Sequence, residues 1–236
     1  MKNRREFIKR SVLGTAAISM FPTQAFSKPI GLKQLTILHT NDMHSHIHPF
    51  TSGRNKGVGG MAQRATIIKQ IRGEGNQVLL LDAGDIFQGT PYFNMYGGEL
   101  EFKLMSEMAY DASTIGNHDF DNGLDGLVNQ LPNAKFPFIV SNYDFSDTQM
   151  EGNYLKYKVF NKGGIKVGVF GIGIELDGLV PKNLYGNTVY QNPIEKANYY
   201  SGHLRNFLGC DLVICLSHLG FKYPDKKISD KVLASQ

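Results

Sequence analysis

Seven side chains in this 236-residue sequence combine types and spacings that could hold metal ions and move protons. They are Asp42, His44, Asp85, Asn117, His118, Asp121 and His218. All seven follow short apolar runs that read as strands. Leu35–Thr40 ends in Asn41-Asp42-Met43-His44, and Val78–Leu81 ends in Asp82-Ala83-Gly84-Asp85. Ala112–Ile115 leads into Gly116-Asn117-His118-Asp119-Phe120-Asp121, and Leu212–Leu216 ends in Ser217-His218. Asp-x-His on an extended segment points both side chains the same way. Gly84 lets the backbone approach closely just before Asp85. Carboxylate, imidazole and amide oxygen together suit divalent Mn, Fe or Zn. No thiolate lies nearby, and an all-oxygen calcium loop does not match. Singly, these groups read blandly: Asp42 and Asp85 as caps, Asn117 as a turn residue, His218 as a core histidine. At the carboxyl ends of four strands, where open α/β sheets bind ligands, they read as one site.

Those groups need a scaffold that turns at each strand end. Met61–Arg72 carries apolar residues at helical spacing, as do Glu99–Ala109, the short Leu124–Leu131, and Pro193–Leu208 with proline in its first turn. Residues 45–60 and Phe87–Gly98 read as loops. Phe138–Ser141 reads as a fourth strand, and Tyr157–Asn161 with Lys166–Ile172 as a hairpin turning at Gly163-Gly164. The polar tail from Pro224 begins a further helix. Alternating strands and helices predict an α/β fold, and the hairpin makes its sheets mixed. His39 reads as a core residue and His203 as exposed. His46 and His48 face solvent or flank the ligands. Asp82 bonds backbone or a ligand histidine, and Asp119 fixes its turn. The glycine-rich stretches match neither a Walker A loop nor G-x-G-x-x-G.

The formal charge of +4 has one source. The chain holds 25 basic and 21 acidic residues; residues 1–27 hold five and one of these, leaving 20 against 20. The basic pI therefore does not predict a nucleic-acid polymer as partner. Residues 1–27 have the anatomy of an export signal: a basic start, an apolar run from Val12 to Phe21, and small residues at Ala25 and Ser27. Asn3-Arg4-Arg5-Glu6-Phe7-Ile8-Lys9 resembles a twin-arginine signal, which implies a periplasmic or otherwise exported protein. Residues 28–34 read as a linker and 35–236 as the domain. No later stretch approaches a membrane span. Cys210 and Cys215 flank one extended run, about 16 Å apart at ~3.3 Å per residue, too far for a disulfide.

Taken in order, Leu38-His39-Thr40-Asn41-Asp42-Met43-His44, Leu80-Leu81-Asp82-Ala83-Gly84-Asp85, Ile115-Gly116-Asn117-His118-Asp119-Phe120-Asp121 and Leu216-Ser217-His218-Leu219-Gly220 resemble the signature of calcineurin-like metallophosphoesterases, specifically the bacterial exported branch of the 5′-nucleotidase family. The resemblance covers nearly everything after residue 33. It implies a four-layer αββα sandwich and two divalent metal ions. Asp42 and His44 would hold one ion, Asn117 and His218 the other, and Asp85 would bridge them. A bridging hydroxide would attack a phosphate monoester in line. His118 would stabilise or protonate the leaving oxygen. Asp121 would orient His118 and favour its imidazolium.

The sequence departs from the family in one respect. The family completes its metal shell with a later Gly-His-x-His or Gly-His-x-Gln motif, and none follows His218. The resemblance then implies one missing ligand per metal and missing C-terminal strands, as expected of the N-terminal piece of a longer protein, with a natural short variant as the alternative. The family's substrate-binding domain is likewise not in this sequence. A separate domain or chain would supply the nucleoside pocket, so a phosphate-ester small molecule is implied but nucleotide specificity is not. The same motifs serve cyclic-nucleotide phosphodiesterases, nucleotide-sugar hydrolases and a thiosulfohydrolase. An exported binding protein with an incomplete site is the non-catalytic alternative.

Overall fold

A computed structural model describes residues 33–236. The leader, residues 1–27, and residues 28–32 of the 28–34 linker lie outside the described residues. Among the described residues, no helix is long and apolar enough to cross a membrane.

Strand β1 (Thr36–Thr40), β2 (Val78–Asp82) and β3 (Ala112–Ser113) form a parallel sheet in that order. Strand β4 (Tyr143–Asp144) pairs antiparallel with β7 (Val189–Tyr190). A second three-stranded sheet has the order β5 (Tyr157–Lys162), β6 (Ile165–Gly173), β8 (Leu212–His218). Its β5–β6 pair is the antiparallel hairpin expected at Gly163-Gly164, while β8 joins β6 in parallel.

Side-chain alternation explains the layering. On β2, Val78 and Leu80 join a core shared with helix α1 (Met61–Gly73), through Met61 and Ile68. Leu79 and Leu81 point the other way, onto Phe160, Val167, Val169 and Leu216 of the second sheet. On β6 the alternation repeats: Val167 and Val169 face the first sheet, while Phe170 and Ile172 pack on Ala197 and Leu233. Those two belong to α6 (Pro193–Gly202) and α7 (Asp230–Leu233). Period-two strands buried on both faces thus produce helix, sheet, sheet and helix layers. The result is the mixed α/β sandwich expected. The remaining helices are α2 (Pro91–Tyr96), α3 (Glu99–Glu107), α4 (Gly123–Gln130) and α5 (Lys182–Tyr185).

Several expected elements differ. The Phe87–Gly98 loop contains α2, started by Pro91 and by the Thr90 hydroxyl, which accepts the Tyr92 N–H at 3.3 Å. The third strand stops at Ser113, because the chain turns at once toward the site. Phe138–Ser141 is not a full strand: it makes isolated bridges to Ser113 and Leu155 and then crosses to the second sheet, where the Ser141 N–H donates to the Gly171 carbonyl at 2.8 Å. The Pro193–Leu208 helix ends as α-helix at Gly202 and continues as a π turn over His203–Phe207. His39 is not a core residue. It sits on an exposed position of β1, whose other face carries the buried contacts. His203 is half-buried rather than exposed, against Tyr157, whose hydroxyl lies 3.3 Å from Nε2.

The crossing segment depends on the absence of a side chain at Gly171. A Cβ there would lie 2.0 Å from the Ile139 carbonyl oxygen. Gly171→Ala is therefore expected to cost ~3 kcal/mol, read as a lower urea midpoint; an unchanged midpoint would contradict this packing.

Candidate metal centre

The two loops that carry the first ligand candidates are zipped together by their backbones. The Asp42 N–H donates to the Gly84 carbonyl at 2.9 Å, His44 to Asp85 at 3.0 Å and Ser45 to Ile86 at 2.9 Å. The Asp42–His44 segment is not extended. Asp42, His44, Ser45 and Asp85 all have left-handed backbones, with φ of 50°, 43°, 54° and 57°. Such conformations cost non-glycine residues about 1–2 kcal/mol each and cluster at functional sites. Here they send Met43 and Ser45 into the interior, while Asp42 and His44 remain on the cleft side.

The third loop approaches through glycine. A Cβ on Gly84, at φ 92°, would lie 2.4 Å from the Gly116 nitrogen. This contact brings the His118 N–H to Asp85 Oδ1 at 2.8 Å. Behind it, the buried Asp119 carboxylate accepts four backbone N–H groups. Oδ1 takes Ile86 at 2.8 Å and Phe87 at 3.1 Å; Oδ2 takes Asp85 at 3.0 Å and Gly116 at 2.8 Å. Asp119 thus fixes its own turn, as expected, and the Asp85 loop as well. Burial and the Asp85 charge push its pKa up to about 7, against the pull of the Gly116 and Phe87 amides.

The cleft measures about 480 Å³ and is lined by Asp42, His44, Asp85, Asn117, His118 and His218. Asp85 Oδ2 faces two imidazoles: His218 Nε2 at 3.2 Å and His44 Nε2 at 3.8 Å. His44 Nε2 also lies 3.8 Å from Asp42 Oδ1. Ligand atoms of Asp42, Asp85 and His218 all lie within 4.8 Å of one another. Each imidazole is oriented from behind. His218 Nδ1 contacts the Ala83 carbonyl at 2.7 Å and His44 Nδ1 the Phe87 carbonyl at 3.2 Å. A carbonyl at Nδ1 fixes the tautomer and leaves Nε2 for a metal. The donor set therefore fits a divalent ion. Asn117 opens the short 3₁₀ turn His118–Phe120 at the same cleft. Asp121 stands behind His118, its Oδ2 2.9 Å from Nδ1. The rings of His44 and His118 meet edge to face at 5.2 Å.

Some groups do other work. Asp82 does not touch a ligand histidine; it accepts from the Gly84 N–H at 2.9 Å, Ser113 at 3.0 Å and Thr40 at 2.5 Å. Burial pushes its pKa up to about 6, and those three donors limit the rise. His46 and His48 lie against the rings of Phe50 and Tyr92 at tilted angles. Sequence reasoning missed Phe221, Tyr223 and Asp230, which line the cleft after His218, and Ser217, whose hydroxyl donates to Asp230 Oδ1 at 2.5 Å. The partners are 13 positions apart across a largely irregular segment, so no periodicity could have signalled the contact.

Without metal, His218 and Asp85 pair with each other. Burial alone would lower the imidazolium pKa. The Asp85 hydrogen bond and charge, with the Ala83 carbonyl, outweigh it and push the pKa up to about 9. A raised histidine pKa adds stability that is complete below its ordinary value, 6.5, and is lost as pH rises through about 9. Melting temperatures in chelator should therefore fall across that window, and His218→Asn should remove the fall. Parallel wild-type and variant profiles would contradict the pairing.

The family model for calcineurin-like phosphoesterases matches residues 35–235. The chain is 39% identical over 211 residues to the snake venom 5′-nucleotidase of Naja atra, covering 86% of this chain and 39% of that protein. It is 36% identical over 227 residues to the 5′-nucleotidase of Vibrio vulnificus (strain CMCP6), covering 93% and 40%. The crystal structure of a 5′-nucleotidase precursor from Thermus thermophilus matches with a TM-score of 0.72 at 34% identity, over 79% of this chain and 37% of that one. The chain spans about two fifths of the length of the curated relatives it matches. On the strength of that match and those identities, the chain belongs to the calcineurin-like phosphoesterase family.

Proposed function

We propose that this chain carries the catalytic centre of an exported, metal-dependent phosphomonoesterase of the 5′-nucleotidase type, with a nucleotide as its preferred class of substrate. One observation carries the reading: a single carboxylate oxygen, Asp85 Oδ2, faces His218 Nε2 on one side and His44 Nε2 on the other. A carboxylate so placed is suited to be shared. In this reading Asp42 and His44 would hold one divalent ion and Asn117 and His218 the other, with Asp85 available to both. Bound there, two ions would supply Lewis-acid polarisation of the phosphoryl group and a nucleophile at neutral pH.

The chain's own residues then divide the remaining work. Asp119 holds Asp85 and the 116–121 turn in one frame through its four amide contacts. His118, which lines the cleft, stabilises or protonates the departing oxygen. Asp121 fixes the ring through Nδ1 at 2.9 Å, leaving Nε2 for the substrate. The nucleotide preference is supported by the 5′-nucleotidases of Naja atra and Vibrio vulnificus. Export is supported by the basic, apolar and small-residue pattern of residues 1–27.

The test is turnover of p-nitrophenyl phosphate and nucleoside monophosphates with Mn²⁺, using the whole gene product. Chelation should abolish turnover. His118→Ala should lower kcat by about 10²–10⁴-fold while metal content stays at the wild-type level. Absence of metal-dependent hydrolysis across the panel would sink the reading. For export, residues 1–34 fused to a reporter should deliver it outside the cytoplasm, and Arg4→Lys with Arg5→Lys should block delivery; a retained reporter would refute that part alone.

A further inference from the structure

Glu101 is the least expected charge in the molecule. It lies on α3 between core residues and is fully buried, at 0% exposure. Among the described residues, no basic side chain forms an ion pair with it. Its Oε2 is buried and has no hydrogen-bond partner. Its Oε1 has one partner in its hydrogen bonds, the Ser45 hydroxyl. A position needed only for packing would take a leucine or methionine, because a buried carboxyl with so few partners costs stability.

Ser45 is the residue after His44, and it is itself unusual. It is fully buried, and its backbone is left-handed at φ 54°. The Thr90 hydroxyl donates to its carbonyl at 2.8 Å and lies 2.9 Å from its Oγ. Its N–H is tied to the Ile86 carbonyl. Helix α3 is a firm support for these contacts: Phe102, next to Glu101, stacks on Phe87 at 4.8 Å, and the Phe87 carbonyl is the group that orients His44 Nδ1. Glu101 therefore holds, from inside the core, a strained residue that adjoins one ligand candidate.

We propose that Glu101 is a positioning residue for the Asp42–His44 half of the metal centre, acting through Ser45, which Thr90 also holds. The proposal rests on the metal reading above. It says that the unfavourable burial of Glu101 is retained because its carboxylate fixes the left-handed turn that aims His44.

The test is Co²⁺ binding to the purified full chain, followed by titration and by the visible spectrum of the bound ion. Glu101→Met and Ser45→Ala should each weaken binding about 10–100-fold, the usual effect of losing a group that orients a ligand, and should alter the spectrum. Glu101→Gln, which keeps an oxygen for the Ser45 hydroxyl, should restore affinity to within a few-fold of wild type. The decisive comparison is with His44→Ala: Glu101→Met added to it should cause no further loss, since both act on one ligand. Additive losses, or unchanged binding in both Glu101→Met and Ser45→Ala, overturn the proposal alone. A wild-type chain that takes up no Co²⁺ overturns the metal reading and the proposal with it. Should Glu101→Met fail to fold, Ser45→Ala and its double variant with His44→Ala carry the same comparison.

Discussion

Four backbone N–H groups converge on the buried carboxylate of Asp119, and the rest of the centre depends on that convergence. The donors come from two strand-end loops that lie far apart in the chain. Neither loop has regular secondary structure to satisfy its amides. Leaving several of them buried and unpaired would cost more than the loops could recover by packing. One acceptor with two oxygens solves this for both loops at once. It also fixes the distance between Asp85 and the turn carrying Asn117 and His118, which no sheet hydrogen bond controls.

The same economy appears in the layers beneath. Strand β2 is buried on both faces and has Asp82 at its end, where hydroxyls of Thr40 and Ser113 close around it. The apolar stretch supplies the rigidity, and the acidic terminus begins the loop that leads to Asp85. On the second sheet, β8 delivers His218 at its last residue, paired in register with Gly173. The two sheets share a core of Leu79, Leu81, Val167 and Val169, so the ligand candidates of both sheets rest on one packed interior.

Much of this was legible in the residues. Short apolar runs located β1, β2, β6 and β8, most firmly β2 and β6, because strands buried on both faces have few other sequence solutions. The chemistry-bearing residues were legible as types, and the structure gathers Asp42, His44, Asp85, Asn117, His118 and His218 around one cleft with Asp121 behind it. Less legible was how they converge. An extended Asp-x-His was the natural reading, yet the segment is left-handed, since backbone bonds to residues 84–86 override local preference. Helix α2 was hidden because it is short and flanked by glycines. His39 read as core because it lies inside the first strand, but its face of that strand is open. Ser45 and Glu101 carried no local signal; a serine in a loop and a glutamate in a helix's first turn are ordinary until burial shows otherwise.

The left-handed backbone at Asp42 and Asp85 also governs which sequence changes this centre can explore. Asparagine tolerates that conformation far better than most side chains, and β-branched residues tolerate it worst. An aspartate-to-asparagine drift at either position would thus leave the fold nearly untouched while removing a negative charge. The routes to an intact relative with a less acidic cleft are correspondingly short. Routes that exchange the carboxylate for a bulkier side chain must first rebuild the turn, so natural variation at these two positions should be confined to a narrow alphabet set by φ as much as by chemistry.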